Sequence, residues 1–514
     1  MKAKLFLKNT VILTVSSIVL RLIAVFFGAY LSRKIGTEGM GLFQLIFSVY
    51  NFASTLATSG IYLTVTRLVA EAMGKNSYPD ANDAVKKCII YGGIVSIIAS
   101  VALFYFSEPI AINLLEDRRS ILSLKTLSVA LPFMAFSATL RGYFFALRKV
   151  IKSSSSQIFE QLVRMVTVSM ALTILLPKGM TYACMAIALG SVIGEALAFL
   201  YTLFFYMKDK NSRFFIPKSR RENTKKVLRI TVPIALSSYL RSALVTVENI
   251  LIPKGFKRYG ATAKSALAQY GMMEAMVMPI LTFPSAFLAS FSNLLIPELA
   301  EAMAIGNKGR INRLSATVLE LTLLFSYPIT ASFIAFGKDL GIAIYNNAEA
   351  GISLQVLAPL VPLIYLDIVA DAMLKGLDKQ VNSLRYSIID SGISIILIYL
   401  LIPIYGVNGY ISVIFISTFV NTALSVNCLI SVTEIPFSIK NTVIKPMLSS
   451  SASAFFVSFI FKSVNFSSGL KVTLQMFFML LIYFLLLKLT NSINSKEMKF
   501  MKSLISPKRK NLST

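Results

Sequence analysis

The sequence contains no histidine, and only three of its 514 residues are cysteines. Because imidazole is absent, a histidine general base, metal ligand or proton relay is excluded, and any proton coupling has to use carboxylates. Cys88, Cys184 and Cys428 lie in or beside apolar segments at unrelated spacings. They predict neither a disulfide framework nor a zinc site, and nothing in the sequence indicates a cofactor.

Charged residues are also scarce, at 15% of the chain, whereas 55% of the residues are hydrophobic. With a mean hydropathy of +0.70, this composition excludes a soluble domain and predicts an all-α polytopic membrane protein. The formal net charge of +27 would suggest nucleic acid binding in a soluble chain. Here the basic residues lie in short loops between apolar runs, so they indicate membrane orientation and we expect no nucleic acid partner.

Apolar runs of about 20 residues predict about fourteen transmembrane helices. The basic N-terminus resembles a signal peptide, but the run after it is too long and no small-residue cleavage site follows, so we predict a retained first helix. Prolines interrupt two of the runs, Pro279 and Pro284 in one and Pro359 and Pro362 in the other, which predicts kinks or unwound turns there. The predicted helices are 9–31, 41–66, 86–107, 121–146, 156–176, 181–206, 228–252, 267–296, 312–336, 353–376, 384–403, 407–430, 444–461 and 471–489.

The distribution of Lys and Arg among the loops predicts that both termini lie in the cytoplasm. The largest basic cluster, 207–227, follows the sixth predicted helix, and 491–514 form a basic tail. Orientation in the cytoplasmic membrane and contact with anionic membrane lipids explain this cluster, and an acidic partner is the alternative.

An internal repeat relates the two halves of the chain. Ser16–Arg21 carries a serine pair and an arginine that recur in Ser237–Arg241, and Ala70–Met73 recurs as Ala300–Met303. Further matches keep the same order at similar offsets. Six helices per copy is an even number, so both copies share one orientation and are related by an axis along the membrane normal.

The repeat predicts two six-helix bundles with a parallel pseudo-two-fold relation, plus two C-terminal helices, which is a transporter architecture. The predicted domains are a first bundle at 1–206, a basic cytoplasmic linker at 207–227, a second bundle at 228–430, the additional pair at 431–490 and a basic cytoplasmic tail at 491–514.

Arg21 and Arg241 stand inside apolar helices at matching places in the repeat. A guanidinium at that depth needs a partner or a water-filled cavity, and its fork fits phosphate oxygens with two parallel hydrogen bonds. A cavity holding both would bind a diphosphate headgroup. The alternative is that they neutralise Glu248, Glu160 or Glu274 inside the bundle.

Acidic residues inside the spans suit a coupling ion. Asp367 and Asp371 are one helical turn apart, and two ionised carboxylates that close repel each other, which favours binding of H+ or Na+. Pairing of these acids with Lys375 or an arginine is the alternative. Glu274 and Glu248 are further candidates for ion coupling.

The segments Gly36–Gln44, Gly60–Ile61 and Arg67–Glu71, together with Tyr50, resemble the signature of stage V sporulation protein B-like proteins. These belong with polysaccharide-lipid flippases and lipid II flippases in the multidrug/oligosaccharidyl-lipid/polysaccharide transporter superfamily. Ser156–Arg164 is similar to the fifth-helix motif of the same group. The resemblance covers about residues 5–490.

The resemblance implies alternating-access export of a polyprenyl-diphosphate-linked saccharide, a cell-wall or polysaccharide precursor, across the cytoplasmic membrane, with a sporulation role implied by the family alone. In lipid II flippases, arginines of the first helix line a cationic central cavity; Arg21 falls at the first of these positions and Phe27 at the second. The predicted substrate-binding residues are Arg21, Arg241, Arg164, Glu160, Gln44 and Asn51.

Three alternatives remain open at this point, one of them a regulatory scaffold that has lost transport. An ion-coupled multidrug or cation exporter of the same superfamily predicts an acidic cavity, which Glu274, Asp367 and Asp371 would supply. A membrane saccharide polymerase or ligase would need a large outer loop with catalytic residues, but loops 33–40, 108–120 and 253–266 are short. We find no catalytic motif and expect a transporter rather than an enzyme.

Overall fold

The computed structural model describes residues 2–75, 77–211, 221–433, 440–461 and 468–490. Across these ranges the regular structure is helical and no strand occurs. The seventeen α-helices are α1 Lys2–Thr58, α2 Ile61–Gly74, α3 Tyr78–Pro109, α4 Ser120–Ser128, α5 Ala130–Ala146, α6 Val150–Leu175, α7 Met180–Asn211, α8 Arg221–Arg258, α9 Ala263–Gly271, α10 Met278–Thr282, α11 Ser285–Ala304, α12 Lys308–Tyr345, α13 Ala348–Leu357, α14 Val361–Gly376, α15 Gln380–Val432, α16 Lys445–Ile460 and α17 Ser468–Leu489.

Ten helices in the described part of the chain are long and apolar enough to cross a membrane, or eleven if the bent pair α4–α5 forms one span. All predicted helices except 267–296 fall on these elements, and the lower count has two causes. The span Val11–Gly74, which contains most of α1 and all of α2, and helix α15 each hold two predicted helices, and the predicted helix 267–296 is broken into short pieces. The prediction of an all-α polytopic membrane protein is confirmed.

Two glycines divide the long helices α1 and α15. Gly36 has φ 67° within the 57 residues of α1, and Gly406 has φ 57° within the 53 residues of α15. A left-handed backbone is open to glycine at little cost because it lacks a Cβ atom. Each long helix is therefore two straight helices joined at a glycine, as the sequence segmentation 9–31 and 41–66, or 384–403 and 407–430, predicts.

The two runs that contain internal prolines are irregular. Between α9 and α10 the chain forms a π-helical turn at Met272–Val277, and between α13 and α14 it forms a 3-10 turn at Ala358–Leu360. Pro284 precedes α11, and Pro359 lies in the 3-10 turn. The breaks follow because proline cannot donate the backbone hydrogen bond that continues an α-helix.

The chain divides into two compact units. The first contains Met1–Pro279 and Ser387–Ser417, and the second contains Ile280–Tyr386 and Thr418–Thr514. The boundaries of the two predicted bundles follow the internal repeat, and they stay a prediction. Residues 212–220 of the predicted linker and the whole predicted tail 491–514 lie outside the described residues.

Each unit has its own apolar core. In the first unit, α2, α3 and α5 bury a cluster that includes Val65, Val69 and Phe144, with Val227 of α8 packed on it. In the second unit, the cluster consists of side chains from α12, α16 and α17: Ala331, Phe336, Ala454, Val457, Phe461 and Met479. The predicted additional pair of helices, α16 and α17, therefore packs against α12.

Candidate transport site

The two predicted headgroup-binding arginines lie in the first unit. Arg21 is half-buried on α1 before the Gly36 break, and Arg241 is exposed on α8. Helix α8 runs along the second half of α1, because Tyr239 donates to the Leu56 carbonyl at 3.0 Å and Thr246 donates to the Ser48 carbonyl at 3.2 Å. Arg241 lies between these two contacts along the helix. Joint contact of both arginines with one headgroup stays a prediction.

Gln44 and Asn51 follow the Gly36 break on α1. Gln44 is half-buried and Asn51 is exposed. The hydrogen bonds that flank Arg241 join α8 to residues 48 and 56 of α1, so Asn51 lies on the stretch of α1 that runs past Arg241. This places one predicted amide and one predicted guanidinium along the same pair of helices.

Four charged side chains meet where α5, α6 and α7 pack together. Arg141 Nη1 donates to Glu160 Oε2 at 3.1 Å, and Arg164 Nη2 donates to Glu160 Oε1 at 2.9 Å. Glu195 Oε1 lies 3.8 Å from the same Arg164 nitrogen. Glu160 and Glu195 are 6% and 2% exposed. We refer to Arg141, Glu160, Arg164 and Glu195 as the four-charge cluster.

Glycines bring α6 and α7 close enough to form the four-charge cluster. A Cβ atom on Gly190 would lie 2.2 Å from Val168 Cγ2, and one on Gly194 would lie 3.2 Å from the Glu160 carbonyl. Small residues four apart allow such close backbone approach in membrane helices. Glu195 follows the second glycine directly, so this packing holds its carboxyl beside Arg164.

The sequence predicts Glu160 and Arg164 as binding residues, but Arg141 and Glu195 are not among the predicted residues. The available signals were the isolated arginine within apolar helix α5 and the Gly190–Gly194 spacing before a glutamate. In the structure, both predicted residues of this cluster form ion pairs within it. Their charges are therefore largely balanced inside the first unit.

A second group of carboxyls lies in the first unit on α8, α15 and the π-helical turn. Tyr410 donates to Glu274 in that turn, and Ser417 donates to Asp390 Oδ1 at 2.6 Å. The Oε1 atom of Glu248 is buried without a hydrogen-bond partner. Among the described residues no Lys or Arg forms an ion pair with these three acids. A π-helical turn often marks a functional segment.

The two aspartates of α14 have separate partners. Asp367 accepts hydrogen bonds from Asn421 Nδ2 and Ser425 Oγ, each at 2.9 Å, whereas Asp371 pairs with Lys375 and accepts from Ser383. The pairing with Lys375 is the alternative that the sequence left open for Asp371.

A third charged group lies at the helix ends. Arg119 contacts Asp117 at 2.7 Å and Glu38 at 2.8 Å, and Glu116 contacts Lys254 at 3.1 Å and Lys257 at 2.9 Å. The hydrogen bond from Lys257 is the main cause that lowers the pKa of Glu116, and the bond to Asp117 raises the pKa of Arg119. These pairs connect the loop before α4 to the C-terminal end of α8.

In the described ranges, no group of three His, Cys, Asp or Glu residues could hold a metal ion.

Comparisons with known proteins identify relatives of this chain. The chain is 26% identical to stage V sporulation protein B of Bacillus subtilis (strain 168) over 502 residues, covering 95% of this chain and 97% of that protein. A structure of the lipid II flippase MurJ in an inward closed conformation matches with a TM-score of 0.70 at 12% identity, over 93% of this chain and 98% of that chain.

An inward-facing multidrug resistance transporter of the MATE family, in the MOP superfamily, matches with a TM-score of 0.62 at 14% identity, over 82% of this chain and 96% of that chain. At such low identity these two structures establish the fold alone. The family of polysaccharide biosynthesis proteins matches residues 6–303, which is more than half of the chain. The chain is therefore a multi-pass membrane protein that belongs to the polysaccharide biosynthesis protein family.

Proposed function

We propose that this chain is a flippase that moves a polyprenyl-diphosphate-linked saccharide across the cytoplasmic membrane by alternating access. The observation that carries the proposal is the exposed Arg241 within membrane helix α8, in a chain of the polysaccharide biosynthesis family. A guanidinium in a membrane span needs an anionic or aqueous environment. The diphosphate of a lipid-linked saccharide supplies such an anion.

In the proposed mechanism, the headgroup enters from the cytoplasmic side while the lipid tail stays in the bilayer. Arg21 and Arg241 hold the diphosphate through charge-assisted hydrogen bonds, with Gln44 and Asn51 as polar contacts to the headgroup. Rocking of one six-helix repeat against the other then opens the outer side. Both termini lie in the cytoplasm. The likeness to a flippase and to exporters, rather than to an enzyme, supports transport without a covalent step.

The direct test uses purified protein in liposomes that carry a fluorescent polyprenyl-diphosphate saccharide. Transfer to the opposite leaflet should depend on the protein and should fall at least tenfold in Arg21→Ala and Arg241→Ala, since about 1.4 kcal/mol of lost binding is tenfold. Arg229→Ala is the matched control, because Arg229 is an exposed arginine at another position of α8. Undiminished transfer in both Arg21→Ala and Arg241→Ala, with folding intact, would refute the proposal that these arginines hold the diphosphate.

A second candidate function is ion-coupled export of cations. Three acids favour it. Glu248 and Asp390 lie in membrane helices and Glu274 lies in the π-helical turn, and among the described residues no Lys or Arg forms an ion pair with them. In the same liposomes, Na+- or H+-driven efflux of a cationic dye, together with no saccharide transfer, would support the exporter and refute the flippase. Loss of this efflux in Glu274→Gln would assign the acids to it.

A further inference from the structure

The four-charge cluster contains two buried atoms that its ion pairs leave unsatisfied. Glu160 receives bonds from both arginines, but Glu195 reaches only the Arg164 nitrogen that Glu160 already occupies, at 3.8 Å against 2.9 Å. Glu195 Oε2 and Arg164 Nε are both buried with no hydrogen-bond partner. One carboxylate is thus well paired and the other is poorly paired.

The geometry distinguishes the two carboxyls. A buried ionised carboxylate is unfavourable unless donors surround it, because its charge has lost the solvation that water provides. A protonated carboxyl has one O–H that it can donate. The carboxyls of Glu160 and Glu195 lie 2.9 Å and 3.8 Å from the same Arg164 nitrogen, so they are close neighbours. Two ionised carboxylates that close repel each other, and a proton on one of them removes the repulsion.

We propose that Glu195 binds a proton, and that Glu195 is the site where the first unit takes up and releases H+. The groups that face Glu195 are Arg141 of α5, Glu160 and Arg164 of α6, and Tyr50 of α1. With both glutamates ionised the four-charge cluster is neutral. With the proton bound it carries one net positive charge.

The change in charge gives the site a role in transport, and this consequence alone rests on the proposed flippase function. Proton binding leaves one guanidinium charge uncompensated, which raises the affinity of the first unit for an anionic headgroup. Proton release restores the Glu195–Arg164 ion pair and removes that attraction. The proton moves between water and a carboxylate oxygen, so no other reactant is needed.

The test is a pH titration of the full chain in lipid membranes, followed by infrared difference spectroscopy. The C=O stretch of a protonated carboxyl should titrate in the wild type and should be lost in Glu195→Gln. In Glu195→Gln the amide keeps the size of the side chain and adds no charge, so we expect this variant to fold. Glu195→Asp keeps a carboxyl and should retain a titrating component at a shifted pH. Glu108→Gln, at an exposed carboxyl, is the matched control.

The outcomes separate this inference from the proposed function. A titrating component that is identical in the wild type and in Glu195→Gln would overturn it, as would no titrating component at all. If the component behaves as expected but no saccharide is transferred, the flippase proposal fails and the proton site stands. If transfer occurs, the change in transfer rate with pH should be at least tenfold smaller in Glu195→Gln than in the wild type.

Discussion

Removal of the Glu160 carboxylate should strongly destabilise the first unit. The side chains of Glu160, Arg141 and Arg164 are 8%, 13% and 19% exposed, so all three charges are largely removed from water. Glu160→Ala deletes two charge-assisted hydrogen bonds, each worth roughly 1.5–3 kcal/mol. Breaking a buried ion pair by removing one partner costs about 3–5 kcal/mol, which agrees with that sum.

The assay is thermal unfolding in detergent micelles, followed by the helical circular dichroism signal. Glu160→Ala should lower stability by about 3–5 kcal/mol. The double variant Glu160→Ala/Arg141→Ala should lose at least about 1 kcal/mol less stability than the sum of the losses in the two single variants. The reason is that the second change removes a charge that the first change leaves unpaired.

A surface pair provides the control for this experiment. Glu71 and Lys75 form an ion pair at 3.1 Å with side chains that are 44% and 67% exposed. Glu71→Ala should therefore cost no more than about 0.5 kcal/mol. A loss below about 1 kcal/mol in Glu160→Ala, or full additivity with Arg141→Ala, would contradict the view that the cluster is a desolvated, coupled network.

Three further predictions use the same unfolding assay. Gly190→Ala places a Cβ atom 2.2 Å from a valine methyl of α6 and should lower stability by about 1–3 kcal/mol. Gly74→Ala is the control, because the space around Gly74 is open, and it should have no such effect. Equal losses of stability in the two variants would refute the close approach of α6 and α7. Gly406→Ala places a side chain at a position with φ 57°, where the left-handed backbone favours glycine, and should lower stability by about 1–2 kcal/mol. Unchanged stability in this variant would refute the break in α15. The hydrogen bond from Lys257 is the main cause that lowers the pKa of Glu116. The ion pair of Glu116 therefore stabilises the fold fully above pH 4.5, the ordinary glutamate pKa. This contribution to stability is lost as the pH falls through the lowered pKa of Glu116. Glu116→Gln should therefore cost up to about 1 kcal/mol at pH 7, since the side chain is 44% exposed, and nothing in strong acid.

The helical architecture could be predicted because its causes are local. A run of about 20 apolar residues has to form a helix in lipid, where every backbone group needs an internal partner. The predicted segments 384–403 and 407–430 even leave Gly406 between them, where the structure has its break. The intramembrane arginines Arg21 and Arg241 were equally visible, because a charge in an apolar run is conspicuous in any one sequence.

The pairing of charges could not be predicted in the same way. Glu160 and Arg164 are one turn apart on α6, so their contact follows from helix geometry. Arg141 and Glu195 join them from other helices, and only the packing of α5, α6 and α7 decides that meeting. The group of Glu248, Glu274 and Asp390 likewise depends on how α8, the π-helical turn and α15 pack in the first unit.

By itself, the sequence determined that this protein crosses a membrane many times, that its two halves repeat, and that charged residues stand within its helices. Those properties depend on composition and on spacing along the chain. The tertiary structure alone decided which charges neutralise each other and which stay poorly paired, as at Glu195. The physical reason is that the energy of a buried charge depends on donors within about 4 Å, and most of those donors come from distant parts of the sequence.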